Sequence, residues 1–156
     1  MSEYGWALFF HLLGVAFLAG GMAVAGVGFR AAWRRERPSE VALLLGTTRA
    51  GVLLVALGSV LVLVCGFWLI EVTSHGLDEG WLAGSLGLFV AGVVLGALAG
   101  RRPKQARLLA ERLAREGDQP NAELRRRVRD RVALALNAVA ALAMAAVLLL
   151  MIWQPR

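Results

Sequence analysis

The residues of this chain best suited to chemistry are few and lie far apart. His11 interrupts an apolar run, Phe9-Phe10-His11-Leu12-Leu13, where a charged or polar group is costly and tends to be kept for a reason. An imidazole there can ligate haem iron or relay a proton; it can equally stay neutral and hydrogen-bonded inside a helix bundle. Cys65 and Met151 fall in two other apolar runs at depths comparable to His11, and His75 lies in a short polar stretch near the same level. Imidazole, thiolate and thioether together form a soft donor set of the kind that takes copper. Cys65 is the only cysteine, which excludes an intrachain disulfide and any CxxC motif.

Positioning these residues is the task of membrane helices. The chain is 156 residues long and 58% hydrophobic, against roughly 45 to 50% in a soluble domain. Its apolar residues form four runs, 6–29, 51–70, 81–100 and 132–153, each near the roughly 20 residues that cross hydrocarbon. No strand-like alternation competes with them. The expectation is an all-α membrane protein, a four-transmembrane-helix bundle forming one domain over residues 1–156. The first run lacks a basic leader and a cleavage site and is expected to be retained.

Charge sets the expected orientation. All Lys and Arg except Arg49 and Arg156 cluster after the first and third runs, whereas the loop between the second and third has Glu71, Asp78 and Glu79 and no basic residue. By the positive-inside rule that loop and both termini lie outside, and the two basic segments face the cytoplasm of a bacterial inner membrane. Tyr4, Trp6, Trp68, Trp81 and Trp153 fall at the outer ends of all four spans, as an interfacial aromatic belt would. The net charge of +6 is thereby explained by topology and contact with anionic lipids rather than by nucleic acid.

The second helix is expected to begin in the cytoplasm, with Ser39 as its N-cap after Pro38. The third should run on past Gly100 until Gly117, Asp118 and Pro120 break it, and the fourth should start near Asn121. Residues 101–131 then form a cytoplasmic helical hairpin, in which Glu111 with Arg115, Glu123 with Arg127 and Arg126 with Asp130 have helical ion-pair spacing.

Small residues mark where helices meet in lipid. Ala7, His11, Gly14, Leu18, Gly21, Ala25 and Gly28 share one face of the first helix, and the third carries Gly92, Gly96 and Gly100, with Gly80, Gly84 and Gly87 nearer its outer end. Glycines beside a membrane histidine suit a flat macrocycle, and they suit tight helix packing just as well. Arg49, near the cytoplasmic edge, can snorkel to headgroups. Ser59, Ser85 and Asn137 can bond to helix backbone. A phosphate-binding glycine loop, a zinc-type histidine pair and an intramembrane acidic pair are all missing from the sequence, which argues against kinase, hydrolase and proton-coupled transporter chemistry.

His11-Leu12-Leu13-Gly14 with Gly21, then Arg49, Gly58, Leu69-Ile70, Gly80-Trp81-Leu82 and Gly100-Arg101 with Lys104, resemble in order the haem-containing membrane protoporphyrinogen oxidases. They also resemble the copper-resistance D-type membrane proteins and an uncharacterised bacterial integral-membrane family grouped with them. The resemblance implies His11 as a haem b ligand, with Gly14, Gly21 and Arg49 around the cofactor. It also implies a lysine soon after the Gly-Trp pair, where this chain has Ser85. Three functions follow as expectations: a haem-b-binding, redox-related protein; a non-enzymatic subunit of a homo-oligomer or larger membrane complex; and soft-metal handling by His11, His75, Cys65 and Met151.

Overall fold

The computed structural model describes residues 2–73 and 80–153. Those residues form five α-helices and no strand: α1 Glu3–Ala32, α2 Pro38–Thr73, α3 Gly80–Arg115, α4 Ala122–Val128 and α5 Arg131–Trp153. Four segments are long and apolar enough to cross a membrane, the last carried by α5. Exposed apolar side chains such as Val27, Leu142 and Leu149 coat the outside, as expected where the surrounding solvent is lipid. Helices α2 and α3 have 36 residues each, about 54 Å of rise against about 30 Å of hydrocarbon, so both project well beyond a bilayer.

The tightest contact joins α1 to α2, which run antiparallel. Glycines make it possible. A Cβ on Gly21 would lie 2.6 Å from the Gly51 carbonyl oxygen, one on Gly51 would lie 2.6 Å from the Ala25 nitrogen, and one on Gly58 would lie 2.7 Å from the Gly14 oxygen. The face predicted on α1 is therefore a packing face, with its partner row on α2. Helices α3 and α5 form a second antiparallel pair in which Gly92 receives the Met144 methyl. Leu18, Val62, Phe89, Met144 and Val147 bring all four spans into one central cluster.

A second core lies at the arginine-rich end, outside the spans. Phe29 and Ala32 of α1, Val41 and Leu45 of α2, Ala106 and Ala110 of α3, and Leu124 and Val128 of α4 pack together there. The basic segments thus fold into a cap with an apolar interior, where sequence reading expects only a solvated hairpin. The Trp33 indole nitrogen donates to the Val128 carbonyl, and the Ser39 amide and hydroxyl donate to the two oxygens of Asp118, each at 2.7 Å.

Details of the cap depart from the expectation. Helix α2 starts at Pro38, whose fixed φ suits a first helical position, and the Val41 amide bonds to the Arg37 carbonyl. Ser39 is thus inside the first turn rather than its cap. The turn after α3 does fall where expected, with Gly117 at φ +125° and Asp118 at +54°. The return arm is not one helix: α4 is seven residues long, capped by the Asn121 side chain, and α5 begins anew at Arg131. Asp130 causes the break, because its carboxylate accepts the Val132 amide at 2.9 Å and the Ala133 amide at 3.3 Å while pairing with Arg102. The cation for Asp130 is therefore Arg102 and not Arg126, and Glu111 pairs with Arg107 rather than Arg115; the Glu123–Arg127 pair forms as expected.

Two predictions follow from this packing. Gly21→Ala drives a methyl into the α2 backbone and should destabilise the protein by about 1–3 kcal/mol. Gly26→Ala meets nothing within 4 Å among the described residues and should stay within about 0.5 kcal/mol of wild type, both read from unfolding in detergent. The second concerns acid. The Ser39 hydroxyl and amide hold the Asp118 carboxyl below its usual range, and Arg102 does the same for Asp130. A depressed carboxyl contributes stability above its unfolded pKa and loses it as pH falls through the lower folded value. Hydrogen-exchange protection of α4, corrected for intrinsic rates, should hold from neutrality to about pH 4 and then fall, and Asp118→Asn should blunt that fall.

Candidate functional site

His11 is 7% exposed and turns toward α2, where its Nδ1 lies 3.1 Å from the Val62 carbonyl oxygen. A carbonyl only accepts, so Nδ1 carries the proton and, in the neutral ring, Nε2 is a bare acceptor. Gly66 lies beside the ring, where a Cβ would come to 3.4 Å from the His11 Cε1, an ordinary van der Waals contact. A backbone carbonyl on one ring nitrogen, with no partner for the other among the described residues, is the arrangement that orients metal-ligating histidines. On the other side of the ring's helix, Trp6 stacks on Phe10 at a centroid distance of 5.8 Å and Phe9 meets both edge-on.

The remaining residues expected around a cofactor are not gathered here. Space beside Gly14 is filled by Leu61 and Val62, and space beside Gly21 by Gly51 and Val55. Neither glycine offers a face to a flat macrocycle, so Gly14 and Gly21 do not fit a haem. Arg49 is exposed near the other end of the span. Thirteen residues separate it from Val62 on α2, about 20 Å along the helix, so it cannot share a site with His11. Where a helix-three lysine stands in the resembling oxidases, Ser85 is 1% exposed and donates to its own helix at the Trp81 carbonyl, 2.8 Å away.

The soft-metal residues that the structure describes stand on three helices, α1, α2 and α5. Cys65 is a buried free thiol one turn beyond Val62 on α2, while Met151 of α5 packs against the central apolar cluster. His75 lies outside the described residues. Among the described residues, no three His, Cys, Asp or Glu side chains come together to hold a metal ion. The other polar groups in the spans satisfy themselves on helix backbone: Ser59 on Val55 at 2.8 Å and Asn137 on Ala133 at 2.9 Å. Thr48 bridges α2 to α1, 3.3 Å from the Leu44 oxygen and 3.5 Å from that of Ala25.

Sequence reading missed the residues that give His11 its setting. Val62 acts through its backbone, which carries no residue-specific signal, whereas the Gly51, Gly58 and Gly66 spacing on α2 was legible as a small-residue row and could have been matched to α1. It also missed the concave surface at the arginine-rich end. A cleft of about 470 Å³ opens there between the α1–α2 turn and α4, floored by Trp33, Val41, Leu124 and Val128 and rimmed by arginines.

Comparison with known proteins returns one finding. No curated protein matches the chain, and no solved structure does, so the likeness to the protoporphyrinogen oxidases and copper-resistance proteins rests on the sequence motifs alone. A family model does match, over residues 6–155, and spans both helix pairs and the cap. The chain belongs to the family described as predicted integral membrane protein DUF2269.

Proposed function

We propose that this protein is a non-enzymatic subunit of a membrane assembly, either a homo-oligomer or a complex with other chains, with its arginine-rich cap on the cytoplasmic side of a bacterial inner membrane. One observation carries the reading. The other glycine rows are used inside the chain for most of their length: Gly14, Gly21 and Gly28 lie against α2, and Gly92 against α5, with Gly96 reaching Ala140 at 4.0 Å and only Gly100 at the cytoplasmic end of that row open. Gly80, Gly84 and Gly87 on the outer half of α3 meet nothing within 4 Å among the described residues, and Ala91, a further turn along, is exposed as well. Lipid does not drive helices together, and a bare glycine row gains close backbone contact only when another helix lies on it. The charge asymmetry that supports the cytoplasmic placement of the cap also attracts anionic lipids to it.

A second reading, haem b held by His11, is favoured by the Nδ1 bond to Val62 and the open Nε2. It requires a cofactor approaching from the side of the ring away from α2, without Gly14, Gly21 or Arg49. Bound haem would supply one-electron chemistry, while the chain's own contribution would be to fix the ring orientation through Val62.

Replacing both Gly84 and Gly87 by isoleucine should reduce the wild-type assembly in mild detergent to a monomer of 16.7 kDa, measured by light scattering, without loss of thermal stability. A wild-type protein that is already monomeric and carries no co-purifying chain rules the subunit reading out. For the second reading, protein expressed with ample haem should show a Soret band that sharpens on reduction and is lost in His11→Ala; a featureless wild-type spectrum removes haem from consideration.

A further inference from the structure

The concave face of the cap has a composition that neither topology nor fold stability requires. Arg35 on the α1–α2 turn and Arg125, Arg126 and Arg129 on and after α4 converge on the cleft, with Glu36 as the one carboxylate among its lining residues. Glu36 is committed to Arg125. Arg35 reaches Glu40 only at 3.7 Å, with both side chains about half exposed, and Arg129 touches the Trp33 carbonyl at 3.5 Å. The rim therefore holds two guanidinium groups, Arg126 and Arg129, with no carboxylate partner among the described residues, beside the loosely paired Arg35 across a gap between two segments distant in sequence. A positive-inside signal needs arginines on the correct side of the membrane but not their convergence on a hollow.

The floor beneath them is apolar. Trp33 is pinned by its indole hydrogen bond to Val128, and Arg30, at the end of the first apolar run, lies over its ring at 5.4 Å. Three residues of helix separate Arg30 from Trp33, about 4.5 Å of rise. A hydrocarbon boundary at Arg30, where the first apolar run ends, puts the mouth of the cleft at headgroup depth. Guanidinium forks match phosphate oxygens in geometry and charge, and an apolar floor beneath such a rim suits a ligand with a phosphate at one end and a greasy body at the other.

We propose that this cleft is a stoichiometric binding site for a phosphate-bearing anion, seated by Arg35, Arg126 and Arg129 and thereby tying α4 to the α1–α2 turn. A lipid headgroup and a free phosphate share that chemistry, and depth in the membrane favours the lipid. This differs from the diffuse attraction of a basic segment to an anionic surface, because it depends on which arginines are present and not on their number.

The test uses the full-length protein in phosphatidylcholine nanodiscs with and without phosphatidate. Native mass spectrometry counts retained phosphatidate, and a thermal melt reads stabilisation. The wild type should retain one phosphatidate. Arg35→Gln with Arg126→Gln should weaken retention roughly tenfold or more, whereas Arg101→Gln with Arg115→Gln, an equal loss of charge outside the cleft, should leave it unchanged. Inorganic phosphate is then titrated against the bound lipid: failure to compete assigns the site to a headgroup, and saturable competition assigns it to a soluble phosphate. Equal weakening by both double variants, or no retained phosphatidate together with no stabilisation by inorganic phosphate, overturns the proposal. Circular dichroism of each variant confirms that the helices persist, so a loss of binding is not a loss of fold.

Discussion

The crossing of α1 and α2 is the constraint from which the rest of the molecule follows. Water gives packed helices a hydrophobic incentive to associate, but lipid tails are as apolar as leucine, so the contact must come from close approach and van der Waals attraction. Gly21 against Gly51 and Gly14 against Gly58 permit that approach by removing side chains from both sides at once. The same register brings the Val62 carbonyl to His11, places Gly28 under Thr47 and Thr48, and delivers Phe29 and Ala32 to Val41 and Leu45 beyond the span. One helix pair thus fixes the surroundings of the embedded histidine at one end and the first wall of the cap at the other.

Two cores in one short chain reflect two solvents. Inside the spans, exposed valines and leucines are stable because lipid surrounds them, and the central cluster is small. Beyond the spans water takes over, and the helix extensions must bury their own apolar stripes. They do so by folding α4 back against α1, α2 and α3. This explains why the return arm breaks: a continuous helix from Asn121 through the membrane would have to follow one axis. The Asp130 cap lets α4 lie along the apolar face of its neighbours while α5 turns into the bilayer against α3. Arg102 holds that corner from the α3 side.

The sequence reveals these two regions unequally. Span positions were legible because composition over 20 residues is a coarse signal that no local detail can mask, and the turn at Gly117 was legible because glycine is one of few residues at ease at φ +125°. The packing face of α1 was visible as a periodicity, but its occupant was not: glycines beside His11 are equally compatible with a neighbouring helix and with a macrocycle, and only the position of α2 distinguishes them. The cap escaped for a different reason. Its buried residues, Ala106, Ala110, Leu124 and Val128, are thinly spread among arginines, so charge density conceals an ordinary amphipathic stripe. Likewise, of the three acidic residues with helical pairing partners in sequence, Glu123 keeps Arg127, Glu111 takes Arg107 on its other side, and Asp130 pairs with a cation 28 residues away.

His11 shows how far packing and chemistry can be separated at a single residue. Its Nδ1 is fully accounted for by α2: without the Val62 carbonyl, a buried donor would be left unsatisfied at a cost of about 1–3 kcal/mol. Had Nε2 also found a partner among the described residues, His11 would be explained as a hydrogen-bonded strut between two helices, much as Thr48 is. A strut needs only one polar end, and serine or threonine provides that with less bulk and no second basic nitrogen, as Ser59 and Ser85 do on their own helices. The choice of imidazole at this position therefore exceeds what the α1–α2 contact demands. The part that exceeds it is Nε2, held in a fixed direction by the same carbonyl that anchors the ring.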